Sequence, residues 1–132
     1  MLAVAGGKGG VGKTTTVLGL AGALPGQPLT IDTDREMPDL HRLAAVDRAP
    51  GLDALDAADT RAVETVAQLA SGYDCRVIAA PETAQTRTDR LLTNVSHASG
   101  PAAWSVVLDT PAGASVDAVA PLRAADGVLL VS

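Results

Sequence analysis

A chain of 132 residues has room for one domain, large enough to bury a core of its own. Fifteen acids stand against ten bases, a net charge of −5, which argues against the chain-wide basic surface of a nucleic-acid binder. The chain has no Phe, one Tyr and one Trp, so its core has to be built from Ala, Val, Leu and Ile. A single cysteine, Cys75, excludes an internal disulfide and any multi-cysteine metal site, and reads as a small buried hydrophobe on a strand. The apolar start MLAVA is five residues long, too short for a signal peptide, and no apolar run approaches the roughly 20 residues of a membrane span. The expected location is the cytoplasm.

Short apolar runs alternate with helical patterns along the chain. LAVA, residues 2–5, reads as a buried strand that runs straight into a glycine loop. From Lys13 to Leu24 the apolar residues Val17, Leu18, Leu20, Ala21 and Leu24 fall at helical spacing, until PGQP stops the helix. LTID, 29–32, is a second strand, and REMPDLHRL, 35–43, a loop leading into a helical turn with Asp39 as its N-cap. Residues 59–71 predict an amphipathic helix with Val63, Val66, Ala67 and Ala70 inward, ended by Gly72. A strand over 75–80, a helix over 86–99, a strand over 104–109, a helix over 115–126 containing Pro121, and a strand over 127–132 complete the pattern. Apolar strands alternating with helices predict an α/β fold, a mostly parallel sheet covered by helices on both faces. The last strand is apolar to its end and has no crossover helix after it. Residues 1–132 are therefore expected to be one nucleotide-binding domain that is incomplete at its C-terminus.

A strand, a glycine loop and a helix opening with Lys-Thr form the arrangement that wraps a phosphate chain. GKGGVGKT, Gly7 to Thr14, fits G-x-x-x-x-G-K-[ST]. The backbone N–H groups of Gly7, Gly9, Gly10, Val11 and Gly12 would turn toward phosphate, because glycine allows positive φ cheaply. The helix N-terminus adds its partial positive charge. Lys13 would reach the β- and γ-phosphates, Thr14 would place its hydroxyl on Mg²⁺, and Thr15 would sit near the α-phosphate.

Lys8 and Lys13 are the only lysines in the chain, and both lie in this loop. The string KGGVGKTT resembles the deviant Walker A box of the MinD/ParA class of ATPases, the P-loop family that also holds nitrogenase iron protein and the arsenite-pump ATPases. The resemblance runs from Met1 to Ser132 and looks closer to the MinD type than to the plasmid ParA type. It implies that Lys8 reaches across an ATP-dependent homodimer to the partner's nucleotide, so that hydrolysis depends on dimerisation.

Acids follow two of the strands, where ligands of open α/β sheets lie. In IDTDREMPDL the resemblance makes the segment switch I, with Asp34 orienting or deprotonating the attacking water and Asp32 supporting the metal or that water. Arg35 and Glu36 depart from the small or apolar residues often found there. In WSVVLDTPAG an apolar strand delivers Asp109 to the sheet's ligand edge, where a carboxylate can hold Mg²⁺ through water. TPAG, Thr110 to Gly113, matches the family's switch II, with the Gly113 N–H placed to sense a γ-phosphate.

His41, His97, Arg87 and Arg90 read as surface helix residues, and Trp104 as strand-edge packing. The resemblance implies a slow Mg²⁺-dependent ATP hydrolase acting with an activating or cargo protein. Direct nucleic-acid contact is not evident, and membrane contact would come only from a missing C-terminal segment. The alternatives are a nucleotide-dependent binding module or scaffold that does not turn over, or a fragment inactive without the rest of a longer ATPase.

Overall fold

The computed structural model describes residues 1–6, 11–56, 62–82, 87–97, 104–111 and 116–131. Six strands, β1 (Leu2–Gly6), β2 (Gln27–Asp32), β3 (Gln68–Leu69), β4 (Arg76–Ile78), β5 (Trp104–Asp109) and β6 (Gly127–Val131), form one sheet in the order β3-β4-β2-β5-β1-β6. Every pairing is parallel except β3 with β4. The helices are α1 (Val11–Ala23), α2 (Leu40–Leu43), α3 (Ala62–Val66), α4 (Thr88–His97) and α5 (Val116–Ala124), with a 3₁₀ turn at Leu52–Leu55.

Strand residues alternate between two cores, as a sheet covered on both faces requires. Val4, Val77 and Val107 point to the side where α1 contributes Val17, Leu18 and Ala21 and α2 contributes Leu40. Ala3, Leu29, Ile31, Ile78 and Leu108 point to the other side, against Val63 of α3, Leu91, Leu92 and Val95 of α4, and Leu52 and Leu55. Trp104 packs half-buried against this second core, and Cys75 is buried near the first.

Two expectations need correction. The helix predicted over 59–71 stops at Val66, and Gln68–Leu69 leave it to pair antiparallel with β4. Val63, Val66, Ala67 and Ala70 are all buried as the amphipathic pattern predicts, but the first three enter the second core and the short strand leads Ala70 into the first. Gly72 does adopt a positive φ, 83°, but it turns the chain between β3 and β4 and does not end the helix. The final strand lies at the sheet's edge, paired with β1 from Leu2↔Gly127 to Gly6↔Val131, and Val128, Leu129 and Leu130 are exposed.

Leu108 is wholly buried at the centre of the sheet. Leu108→Ala should destabilise the chain by about 2–5 kcal/mol, read as a lower urea midpoint at unchanged slope.

Candidate functional site

Register brings the two strand-end acids together. β2 and β5 pair from Gln27↔Trp104 to Asp32↔Asp109, and β1 pairs Val4 with Asp109. Asp32 and Asp109 therefore end adjacent parallel strands at the same level, 1% and 4% exposed. Each is followed by a buried threonine that fastens the strand ends. Thr33 donates both its N–H (2.9 Å) and its hydroxyl (2.8 Å) to the Asp109 carbonyl. The Thr110 hydroxyl donates to the Val4 carbonyl at 2.8 Å. The repeated Asp-Thr pair, at 32–33 and 109–110, is the sequence signal that could have marked both threonines.

The first turn of α1 faces these acids. Thr14 donates its hydroxyl to Asp109 Oδ2 at 3.0 Å. Lys13, 8% exposed, donates through Nζ to the Thr110 carbonyl and stands 3.6 Å from Asp109 Oδ1. That separation is too long for a hydrogen bond, and Oδ1 is left buried without a donor. Thr15 is exposed at the same helix end.

Burial first, and then the neighbouring Asp109 charge, push the Asp32 carboxyl up to about 8, against the lowering effect of the N–H groups of Asp34 (2.9 Å) and Leu40 (3.3 Å). Burial also raises Asp109, opposed by Lys13 and Thr14. Asp39 stands at the N-cap position of α2 as expected but makes no side-chain cap bond, and Asp32 accepts the N–H of Leu40 in its place. Asp34 is half-buried, its Oδ1 accepting the N–H groups of Glu36 (3.2 Å) and Met37 (3.0 Å).

Of the expected site residues, Lys13, Thr14, Asp32 and Asp109 meet in this cluster, and Asp34 follows it in the same loop. Gly7, Lys8, Gly9, Gly10 and Gly113, together with the side chain of Val11, lie outside the described residues. Gly12 is described, and a Cβ built on it would meet nothing within 4 Å. His41, expected at the surface, is half-buried with an unpartnered Nδ1, and burial lowers its pKa. Arg87 and Arg90 are exposed and pair with Asp89 and Asp56, contacts worth little in water.

The donor set fits Mg²⁺. Two carboxylates and a hydroxyl are oxygen ligands, one carboxylate oxygen is orphaned, and the mutual repulsion of the acids would be relieved by a cation. No group of three or more His, Cys, Asp and Glu suited to a metal occurs among the described residues, so phosphate and water would complete the shell. A cavity of about 550 Å³ lies elsewhere, at the amino ends of β2, β4 and β5 beside Gln27, Arg76 and Trp104.

The model of the CobQ/CobB/MinD/ParA nucleotide binding domain matches residues 2–109. The chain belongs to this family. Solved structures agree in fold. The cell division ATPase MinD of Pyrococcus furiosus superposes with a TM-score of 0.72 at 23% identity, over 98% of this chain and 57% of that one. Cobyrinic acid a,c-diamide synthase of Mycobacterium smegmatis, with ADP and magnesium bound, gives 0.74 at 23% identity over 98% and 57%. The kinase domain of the Escherichia coli tyrosine kinase Etk gives 0.78 at 26% identity over 99% and 54%. The chain thus spans a little over half the length of each of these neighbours. No curated protein matches it. Among the described residues no helix is long and apolar enough to cross a membrane.

Unfolding returns Asp32 to the ordinary value of 3.8, while the folded chain keeps its proton to about 8. Between those limits the folded state binds the extra proton, so nucleotide-free stability should fall as pH rises from about 4 to about 8 and level off above. Asp32→Asn should flatten much of that fall, measured as urea unfolding free energy at pH 5, 6.5 and 8. An undiminished slope would assign the linkage to another group.

Proposed function

We propose that the chain is the nucleotide-binding part of a Mg²⁺-ATP-dependent, dimerising ATPase switch of the MinD/ParA type. The convergence of Lys13, Thr14 and Asp109 at the end of β5 is the observation that carries this reading. Lys13 and the amino end of α1 would hold the β- and γ-phosphates, with the loop N–H groups of residues 7–12 wrapped round them. Thr14 and Asp109, supported by Asp32, would hold Mg²⁺, which when bound neutralises charge on the phosphate oxygens. Asp34 would align the attacking water and accept its proton. Lys8 would reach the nucleotide of a second copy, and Gly113 would sense the γ-phosphate through its N–H. Catalysis in this scheme is positioning and charge stabilisation, so turnover is slow until a partner completes the site. The cycle would position an activating or cargo protein in division, partitioning or the placement of other machinery.

One observation favours a second reading, a nucleotide-dependent binding module without turnover. Asp34 Oδ1 is engaged by the N–H groups of its own turn, which is how a structural turn acid behaves.

Calorimetric titration of the 132-residue chain with Mg²⁺-ATP separates these readings when paired with a phosphate-release assay. Lys13→Ala should weaken binding roughly ten- to hundredfold, the scale of losing hydrogen bonds to a charged group. Lys8→Ala should keep wild-type affinity and lose hydrolysis. Equal loss of both in Lys8→Ala would remove the trans-lysine assignment, and binding without release in the wild type would favour the second reading.

A further inference from the structure

Arg35 follows Asp34 directly, and its side chain leaves the loop for another element. Its Nε donates to the hydroxyl of Thr88 at 3.3 Å, across 53 positions of sequence. Thr88 opens α4 and is 5% exposed, and α4 is packed through Leu91, Leu92 and Val95 into the core. The hydroxyl is therefore a fixed point, whereas the Arg35 side chain is half-buried and comes from a loop. Both ends of that loop are fastened independently. Thr33 is bonded to the Asp109 carbonyl, and the N–H of Leu40 to Asp32. Between them lies the turn in which Asp34 Oδ1 accepts from Glu36 and Met37.

We propose that Arg35 is a positioning residue: by donating to Thr88 it ties the middle of this loop to the first turn of α4 and so sets where the Asp34 carboxylate stands. A planar guanidinium with a fixed Nε–H suits this role, since one directed bond limits the rotation of the backbone that carries Asp34. The departure of Arg35 from the small or apolar residues expected there thus has a geometric use. The catalytic consequence rests on the proposed role of Asp34; the tether itself does not.

The experiment is amide exchange at Glu36 and Met37 by NMR in the nucleotide-free chain, followed by ATP turnover. Thr88→Val and Arg35→Met should each speed exchange at both amides about fivefold, the scale of one hydrogen bond. Thr88→Ser, which keeps the acceptor, should match the wild type, and the double variant should exchange no faster than Arg35→Met alone. Exchange unchanged in Thr88→Val, or equally fast in Thr88→Ser, overturns the tether. In turnover, Thr88→Val should lower kcat about tenfold with KM within about twofold, and Thr88→Ser should restore it. A fall confined to KM overturns the positioning role. A wild type that binds Mg²⁺-ATP without hydrolysing it overturns the reading of Asp34, while the exchange arm still decides the tether.

Discussion

Asp32 and Asp109 end neighbouring parallel strands at the same level with almost no access to water, and burying one carboxylate without a partner costs several kcal/mol, roughly. The surrounding structure is arranged against that cost. Two backbone N–H groups serve Asp32, and a hydroxyl and an ammonium serve Asp109. What they leave uncompensated appears as a retained proton on Asp32 and an orphaned oxygen on Asp109. An arrangement that leaves an excess of acceptors in a buried place is matched to a cation, and the loop after β2 is fastened to it at both ends, at Thr33 and at Leu40.

Parallel pairing explains why the acids cannot drift apart. In a parallel sheet the carboxyl ends of all the central strands open on one edge, and a one-residue slip would exchange the two faces of the strand. Leu29 and Ile31 face one core, and Val107 faces the core opposite Val106 and Leu108, which forbids that slip in β2 and β5. Thr33 and Thr110 then fasten strand end to strand end, β2 onto β5 and β5 onto β1. Hydrophobic packing on both faces thereby fixes an electrostatic geometry at the edge.

Strand positions and the order of motifs are legible in the residues because buried parallel strands are short continuous apolar runs and the glycine loop has a fixed spacing. Val63, Val66, Ala67 and Ala70 satisfy a helical stripe over 59–71, although the chain leaves the helix at Val66 and a hairpin carries Ala70 into the opposite core. Periodicity reports which residues are buried and does not say which backbone buries them. Asp39 holds the N-cap position of α2 as local spacing predicts, but the side-chain bond at that end comes from Asp32, eight residues before Leu40, through the fold of the loop. The tie between Arg35 and Thr88 joins positions 53 apart and has no local signature.

Lys13 illustrates how the nucleotide-free site is balanced. Its ammonium is almost wholly buried and is satisfied by the Thr110 carbonyl and the nearby Asp109 charge, so the site does not hold an unpaired cation. A phosphate that recruits this lysine must replace both contacts, and the net gain is the difference between an anionic phosphate oxygen and a carbonyl plus a carboxylate 3.6 Å away. Removing Lys13 from Asp109 without supplying another cation would leave two buried acids facing each other with less compensation. Under the proposed function, phosphate and a divalent ion would therefore be coupled in this geometry. A bound phosphate would draw the lysine away, and Thr14, Asp32 and Asp109 would hold an ion that takes over the charge the lysine had been neutralising.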